Sequence, residues 1–138
     1  MNNASPSVTP KATRVALVLG AVKGIGLGIG LDLARRGYRV ALTYYDWEEA
    51  LPAMQETFDG FGGNCRIFKA NLCSCDGISR LIASVLAHFG RLDILINNIE
   101  RGGWPVVHGP YVQDQWDLEM ETTLRAKQWI LEAAMPHL

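Results

Sequence analysis

The stretch LVLGAVKGIGLGIG, residues 17–30, holds five glycines within eleven positions, more than an ordinary helix or strand tolerates. It begins inside a short apolar run, residues 13–20, whose valines and lack of alternation indicate a strand buried on both faces. From residue 24 to residue 36 the pattern becomes helical, and Gly37 is placed to end that helix. The apolar positions of this predicted helix recur every four residues and are Ile25, Ile29 and Leu33. The glycines therefore fall in and after a turn that leads from a buried strand into a helix.

The glycine spacing in this turn is Gly20-x₃-Gly24-x-Gly26, which is neither the Gly-x-Gly-x-x-Gly dinucleotide fingerprint nor a P-loop. The physical requirements are nevertheless those of a phosphate site. Gly20 lets the chain turn off the strand, and Gly24 leaves room for backbone to approach a pyrophosphate at the positive N-terminus of the helix. Gly26 lets the helix pack closely on the sheet, and Gly28 and Gly30 are expected to contact a neighbouring element. A tight turn without a ligand is the alternative interpretation.

The rest of the chain alternates between strand-like and helix-like patterns. Further strands are predicted at residues 38–45, 65–72 and 92–98, with a helix after each of the first three strands and a long final helix at about residues 114–134. The order is β-α-β-α-β-α-β-loop-α. Such alternation implies parallel pairing through right-handed crossovers, and hence an open α/β sheet.

Two of the predicted helices carry specific end signals. Asp46 is interpreted as the cap of the second helix, with ribose binding as the less favoured alternative. Pro52 lies deep enough to predict that this helix starts late or kinks. The third helix is stopped by Gly90. Its apolar residues follow the helical period and are Ile78, Leu81, Ile82, Val85, Leu86 and Phe89.

The composition argues against several classes of partner. The net charge of −1 indicates no nucleic-acid partner, and no apolar run approaches the roughly 18 residues that a membrane span needs. Cys65, Cys73 and Cys75 are interpreted as reduced thiols of a cytoplasmic protein. No metal site is expected, because Cys-x-x-Cys spacing is absent and the histidines are scattered. Residues 1–12 are polar and are predicted to be a disordered leader, followed by one domain at residues 13–138.

Three stretches in order resemble the short-chain dehydrogenase/reductase family. RVALVLGAVKGIGLGIGLDLARRGYRVALTYY, residues 14–45, is similar to the family's opening, which reads Thr-Gly-x₃-Gly-Ile-Gly at the turn. DILINN, residues 93–98, looks like the family's Asn-Asn-Ala-Gly motif, and residues 115–138 are similar to its long helix before strand five. The resemblance covers residues 13–138. It implies a Rossmann-like, doubly wound parallel sheet of strand order 3-2-1-4 that lacks the C-terminal strands of the full fold.

The resemblance also implies an NAD(P) cofactor. In the family an acid at the end of strand two selects NAD, and that place is Tyr44 here. Lys23 stands where NADP-preferring members carry a base that could pair with a 2′-phosphate, so NADP(H) is favoured over NAD(H). A solvated loop charge is the alternative for Lys23. Asn71 matches the family's residue beside adenine, with a plain turn residue as an equal alternative. The residues expected to bind the cofactor are Gly20, Val22, Lys23, Gly24, Ile25, Gly26, Tyr44, Tyr45, Asn71, Leu72, Asn98, Ile99 and Glu100.

The sequence departs from the family pattern at four places. Leu19 replaces a Thr whose hydroxyl would brace the turn near strand four. Ile99 and Glu100 replace small residues beside the nicotinamide ribose, and Thr123 stands at the family's catalytic Asn, which supports a water relay. The apolar, glycine-rich loop that begins at Ile99 is either a substrate-side loop or an ordinary connection. Trp104 and Trp116 are expected in the core or an interface.

The catalytic groups of the family lie beyond the part of the fold that these residues match. The family's Ser and Tyr-x₃-Lys follow the long helix, and no Tyr of this sequence has Lys four residues later. The chain is therefore expected to be the cofactor-binding half of an oxidoreductase acting on a small carbonyl or alcohol substrate. A non-catalytic nucleotide-binding or scaffold module and a functionless truncated product are the alternatives. Strand four would be an uncovered edge, which predicts self-association as a homo-oligomer or a partner that covers it.

Overall fold

The computed structural model describes residues 13–99 and 112–138. Four strands form one parallel sheet in the order β3-β2-β1-β4. The strands are β1 at Val15–Val18, β2 at Arg39–Tyr44, β3 at Cys65–Lys69 and β4 at Ile94–Ile96. The predicted strand order of a Rossmann-like sheet is confirmed. Each strand is shorter than its predicted run, because the ends of the apolar runs continue into the connecting turns.

Helices follow β1, β2 and β3, and a final helical segment lies near the end of the chain. The α-helices are α1 at Gly24–Arg35, α2 at Leu51–Asp59, α3 at Cys75–Phe89, α4 at Gln113–Glu119 and α5 at Ala126–Ala134. Short 3₁₀ turns occur at Glu48–Ala50, Gly62–Asn64 and Met135–His137. A π-helical turn at Met120–Arg125 joins α4 to α5, where the sequence predicts one regular helix. Within this turn the Thr122 hydroxyl donates to the Leu118 carbonyl at 2.7 Å, a local bond that competes with regular helix bonding.

The central strand is buried on both faces, as its unbroken apolar run predicts. Val15 and Leu17 belong to a core packed against α3 and α5, whereas Val18 belongs to a second core packed against α1 and α2. All residues of β1 are fully buried. Helices therefore cover both sides of the sheet, and the two cores meet across β1.

Helix α1 packs on the sheet through its smallest residues. Its buried positions are Gly26, Gly30 and Ala34, while Ile25 is 75% exposed. A Cβ on Gly30 would lie 2.5 Å from Leu42 Cδ2, so the predicted close contact at Gly30 is confirmed. The same prediction for Gly28 is wrong, because a Cβ there would meet nothing within 4 Å. The four-residue apolar repeat correctly indicated a helix, and Ile29 and Leu33 pack against the core while partly buried. The fully buried positions are small residues, because α1 lies close to the sheet.

The start of α2 corrects the prediction that Asp46 caps it. The residue before α2 is Ala50, which makes no side-chain cap bond, and a 3₁₀ turn separates Asp46 from the helix. Trp47 has a left-handed backbone, with φ 61° and ψ 41°, and turns the chain away before the helix begins. Pro52 consequently lies in the first turn of α2, where proline is tolerated, and the prediction of a late start is confirmed.

Helix α3 matches its prediction most closely. Ser74 caps it by accepting a hydrogen bond from the Gly77 amide at 3.3 Å, and Gly90 ends it in the left-handed region at φ 78°. Its predicted apolar residues are buried except Leu86, which is half-buried. The strong helical period of this segment leaves one face for the core.

The short strand β4 is tied to its neighbours by side chains at both ends. The Asp93 carboxylate accepts the Val15 amide hydrogen at 2.8 Å and pairs with Arg91. The Asn97 amide donates to the Lys127 carbonyl at 3.0 Å, while its Oδ1 is buried without a hydrogen-bond partner among the described residues. β4 is one edge of the described sheet, and its residues are half-buried.

Candidate functional site

A cleft of about 310 Å³ opens at the carboxyl ends of the strands, the end where open α/β sheets bind ligands. Its volume is at the lower end of the roughly 300–1,000 Å³ usual for small-molecule sites. The predicted cofactor residues that line it are Gly20, Val22, Lys23, Gly24, Ile25, Tyr44, Tyr45, Asn71, Leu72, Asn98 and Ile99. The chain thus brings together residues that are spread over some eighty positions of the sequence.

The glycine turn after β1 is held by side chains from both neighbouring strands. The Gly20 amide donates to Thr43 Oγ1 at 3.2 Å, and Asn98 Nδ2 donates to the Gly20 carbonyl at 3.2 Å. Gly20 has φ 62°, and a Cβ there would lie 2.2 Å from the Asn98 carbonyl oxygen, so only glycine fits. Leu19, in place of the family's Thr, is fully buried in the core. The hydroxyl that braces this turn comes instead from Thr43, at the other side of β1.

The N-terminus of α1 faces the cleft without a cap of its own. Lys23, the residue before the helix, makes no side-chain cap bond, and Gly24 and Ile25 at the helix start line the cleft. Gly24 has φ 59°, and a Cβ placed on it would meet nothing within 4 Å. The first amide groups of a helix have no partner within it and carry the positive end of the dipole. This combination of open space and amide donors is what a pyrophosphate requires.

Gly26 does not line the cleft but packs against the Gly20 turn that forms part of its wall. A Cβ at this position would lie 2.2 Å from the Gly20 carbonyl oxygen and 2.7 Å from Asn98 Nδ2. Gly26 therefore lets the helix approach the turn itself, and the neighbour that it contacts is the end of β1 and β4.

The end of β2 supplies aromatic and charged groups to the cleft. Tyr44, Tyr45, Asp46 and Trp47 line it in succession, and the Lys23 ammonium lies over the face of the Trp47 ring. Lys23 and Asp46 are the charged side chains among the described lining residues.

A second cation near this end, Lys69, is already paired. Its ammonium hydrogen-bonds the Glu48 carboxylate, and this bond raises the pKa of Lys69 and lowers the pKa of Glu48. Both side chains are more than half exposed, so solvent weakens the pair. Lys23 is consequently the cation of the described cleft that no carboxylate neutralises directly.

The end of β3 contributes Asn71, Leu72 and Cys73. Asn71 Oδ1 accepts the Cys73 amide hydrogen at 3.0 Å, which closes a local turn. The oxygen of Asn71 is thus used by its own turn, and its NH₂ group is the part suited to donate to a ligand. The two interpretations left open from the sequence, a turn residue and a ligand contact, are compatible in this geometry.

The opposite wall of the cleft comes from Asn98, Ile99 and the π-helical turn. Thr122 and Ala126 line this wall, whereas Thr123 does not. The Thr123 hydroxyl donates to Glu119 Oε2 at 3.1 Å. Thr123, which matches the family's catalytic Asn, therefore lies one residue after Thr122, whose side chain lines the cleft. Glu100 lies outside the described residues, as do Trp104 and the leader at residues 1–12.

Several lining residues were not among the predicted site residues. They are Thr43, Asp46, Trp47, Ala70, Cys73, Thr122 and Ala126. The positions next to Tyr44 and Leu72 could have been included, because residues at the carboxyl end of a parallel strand share the ligand-binding edge. Thr122 carried no such signal, because it lies in the π-helical turn and not at the end of a strand.

The described residues hold no group of three metal-binding side chains, and none of the described helices is long and apolar enough to cross a membrane. Cys65, Cys73 and Cys75 form no disulfide in the described part of the chain.

Comparisons with known proteins agree with this geometry. The family model described as short chain dehydrogenase matches residues 14–138. The chain is 33% identical over 130 residues to the 3-oxoacyl-(acyl-carrier-protein) reductase FabG of Staphylococcus aureus, covering 93% of this chain and 52% of that protein. It is 29% identical over 136 residues to the short-chain dehydrogenase/reductase FrzI of Cladobotryum sp, covering 99% of this chain and 51% of that protein.

Among solved structures, a metagenomic short-chain oxidoreductase in complex with NADP superposes with a TM-score of 0.75 at 34% identity, over 90% of this chain and 56% of that chain. The chain belongs to the short-chain dehydrogenase/reductase family, whose members bind NAD(P). It spans about half the length of the curated relatives that it matches.

Proposed function

We propose that this chain holds the nucleotide of NAD(P)(H) in an oxidoreductase of the short-chain dehydrogenase/reductase type. The observation that carries the proposal is the turn at Gly20 and Gly24, which opens on the cleft beside the uncapped N-terminus of α1. The bound nicotinamide would supply hydride chemistry between its ring and a small carbonyl or alcohol substrate. Transfer to a substrate is proposed for the whole protein, since none of the four tyrosines here has Lys four residues later.

Each part of the nucleotide has residues in the cleft that suit it. The pyrophosphate suits the amide groups at Gly24 and Ile25, where no side chain intrudes. The adenosine suits the side of the cleft at Tyr44 and Leu72, whose apolar surfaces can pack against the base. The nicotinamide ribose suits the opposite wall near Asn98.

We further propose that NADP(H) is preferred over NAD(H). Lys23 places an unneutralised ammonium at the cleft, and Tyr44 ends β2 where NAD-selective members carry an acid. Asp46 favours the opposite preference, because it lines the cleft and its carboxylate could accept a ribose hydroxyl. The Asp46 carboxylate would repel a nearby 2′-phosphate, because both are negatively charged. The measured ratio of NADPH to NADH affinity therefore reports whether Lys23 or Asp46 has the larger effect.

Titration of the 138-residue chain with NADPH and with NADH, followed by nicotinamide fluorescence, tests both statements. We expect both nucleotides to bind, with NADPH tighter. Lys23→Met should weaken NADPH binding about tenfold and leave NADH binding nearly unchanged, since a charge-assisted bond to phosphate is lost. Arg35→Met removes an exposed cation at the far end of α1 and serves as the matched control.

Two results would count against these proposals. A folded sample that binds neither nucleotide would contradict the nucleotide site. Tighter binding of NADH than NADPH, reversed by Asp46→Asn, would overturn the NADP preference in favour of selection by Asp46.

The last helices also support the proposal of a partner surface. Apolar side chains there are well exposed, and the largest exposures are at Leu124, Met135, Leu138 and Trp116. The prediction of a homo-oligomer or a covering partner therefore stands as a proposal. A cytoplasmic location is proposed as well, since the described cysteines form no disulfide.

A further inference from the structure

Trp47 is an unusual residue at the rim of the cleft. Among the described residues, it is the one non-glycine position with a positive φ. The left-handed region is unfavourable for a bulky L-residue, and residues held there concentrate at ligand clamps and switches. No capping bond from its side chain explains the conformation. The packing does not explain it either, because half of the side chain is exposed.

The indole of Trp47 contacts the ammonium of Lys23, which lies over the face of the ring. The two residues come from different elements: Lys23 precedes α1, and Trp47 follows β2. Both line the cleft. The left-handed turn thus brings an aromatic face across the rim of the cleft to the cation at the start of α1.

This contact restricts a side chain that would otherwise be free to move. Lys has four rotatable bonds and loses much rotamer entropy when it binds a phosphate. An aromatic face beneath the ammonium attracts it through the ring quadrupole and leaves its other side open to an anion. A carboxylate could not hold the ammonium in this way, because it would neutralise the positive charge that a phosphate needs, as Glu48 does for Lys69.

We propose that Trp47 is a positioning residue for nucleotide selection: its indole holds the Lys23 ammonium over the cleft, ready for the 2′-phosphate of NADP(H). The inference rests on the proposed function and adds Trp47 as the residue that holds the Lys23 ammonium in place. Trp47 acts through Lys23, so its effect falls on NADP(H) and spares NAD(H). In this proposal the left-handed backbone at Trp47 serves to direct the ring to Lys23.

A double-mutant cycle with NADPH and NADH titrations tests the inference. Trp47→Leu removes the aromatic face and is expected to weaken NADPH binding about threefold to tenfold, with NADH binding changed by less than about twofold. Trp47→Phe keeps a ring and should retain most of the NADPH affinity. In the Lys23→Met background, Trp47→Leu should leave the ratio of the two affinities unchanged.

A further variant separates the ring from the backbone. Trp47→Gly removes the ring but suits the left-handed conformation, so it should fold at least as stably as Trp47→Leu. If Trp47→Gly and Trp47→Leu lower NADPH affinity alike, the ring is responsible, as proposed. If Trp47→Gly keeps wild-type NADPH affinity, the ring has no role and the inference fails.

The remaining outcomes distinguish this inference from the proposed function. Equal weakening of NADPH and NADH by Trp47→Leu would identify Trp47 as a wall for the shared adenosine and overturn the positioning role. Additive effects of the Trp47 and Lys23 substitutions on NADPH would do the same. A wild-type chain that binds neither nucleotide would contradict the proposed function itself.

Discussion

Two glycines of α1, separated by one residue, should respond in opposite ways to the same substitution. At Gly26 an added Cβ would lie 2.2 Å from the Gly20 carbonyl oxygen and 2.7 Å from Asn98 Nδ2. At Gly28 an added Cβ would meet nothing within 4 Å. Gly26→Ala and Gly28→Ala therefore add the same methyl group to the same helix, once against backbone and once into open space.

The magnitudes follow from two opposing contributions. Alanine is better than glycine inside a helix by about 0.5–1 kcal/mol, and Gly28→Ala should gain that amount of unfolding free energy. Gly26→Ala gains the same propensity but must move the turn by roughly 1 Å to restore an ordinary non-bonded contact. Such overpacking costs about 1–3 kcal/mol, and the upper part of that range applies because the obstructing atom is backbone. We expect Gly26→Ala to be about 2 kcal/mol less stable than the wild type.

Thermal unfolding followed by circular dichroism would measure both effects. For a chain of this length 1 kcal/mol corresponds to about 3–5 °C in Tm, so the two variants should differ by about 10 °C. Gly26→Ala should also lose nucleotide binding, because the displaced carbonyl and Asn98 form the turn, whereas Gly28→Ala should bind as the wild type does. Equal Tm values for the two variants, or a less stable Gly28→Ala, would refute the assignment of the buried face of α1.

Two further predictions concern titratable groups. Burial raises the pKa of the Cys65 thiol to about 11, so at pH 8 iodoacetamide should modify Cys65 at least tenfold more slowly than the exposed Cys75. Mass spectrometry of the modified peptides would measure the two rates, and the difference should vanish in urea. Equal rates in the native protein would contradict the prediction. The hydrogen bond from Arg91, followed by that from Val15, lowers the pKa of Asp93 in the folded state. The stabilisation is therefore present above the ordinary carboxyl pKa of about 3.9 and is lost as pH falls through the lowered value. Asp93→Asn should cost about 1 kcal/mol at pH 7 and progressively less toward pH 2 in urea titrations, and a cost independent of pH would show that the charge is not involved.

Local patterns predicted the strands and their parallel pairing, whereas the strand order was implied by the resemblance to the family. β1 is buried on both faces and therefore reads as an unbroken apolar run, and α3 leaves a single regular face. The fully buried positions of α1 were not predicted. They are Gly26, Gly30 and Ala34, small residues that the apolar repeat does not include, whereas Ile25 of that repeat lies at the exposed start of the helix.

The candidate site was predicted in outline from the resemblance to the family. The fold explains why those residues come together, because parallel strands end at the same edge of the sheet. The interactions that shape the edge depend on contacts between distant residues. Thr43 meets Gly20 across 23 positions, and the left-handed conformation of Trp47 is one that its residue type disfavours. The left-handed conformation of Trp47 delays the start of α2, but the sequence carries no local signal of it. Asp46 was therefore assigned to a helix cap.

The two bonds to Gly20 have a consequence for the energetics of the loop. A free glycine-rich segment would give up much backbone entropy on ordering around a phosphate, and that loss would weaken binding. Here Thr43 and Asn98 already hold the Gly20 turn in the folded chain, from opposite sides of β1. The cost of ordering is thus met by the cooperative stability of the sheet. Ligand affinity is thereby coupled to the stability of the sheet. A substitution that loosens β4 from β1 should weaken nucleotide binding even though the substituted residue does not contact the nucleotide.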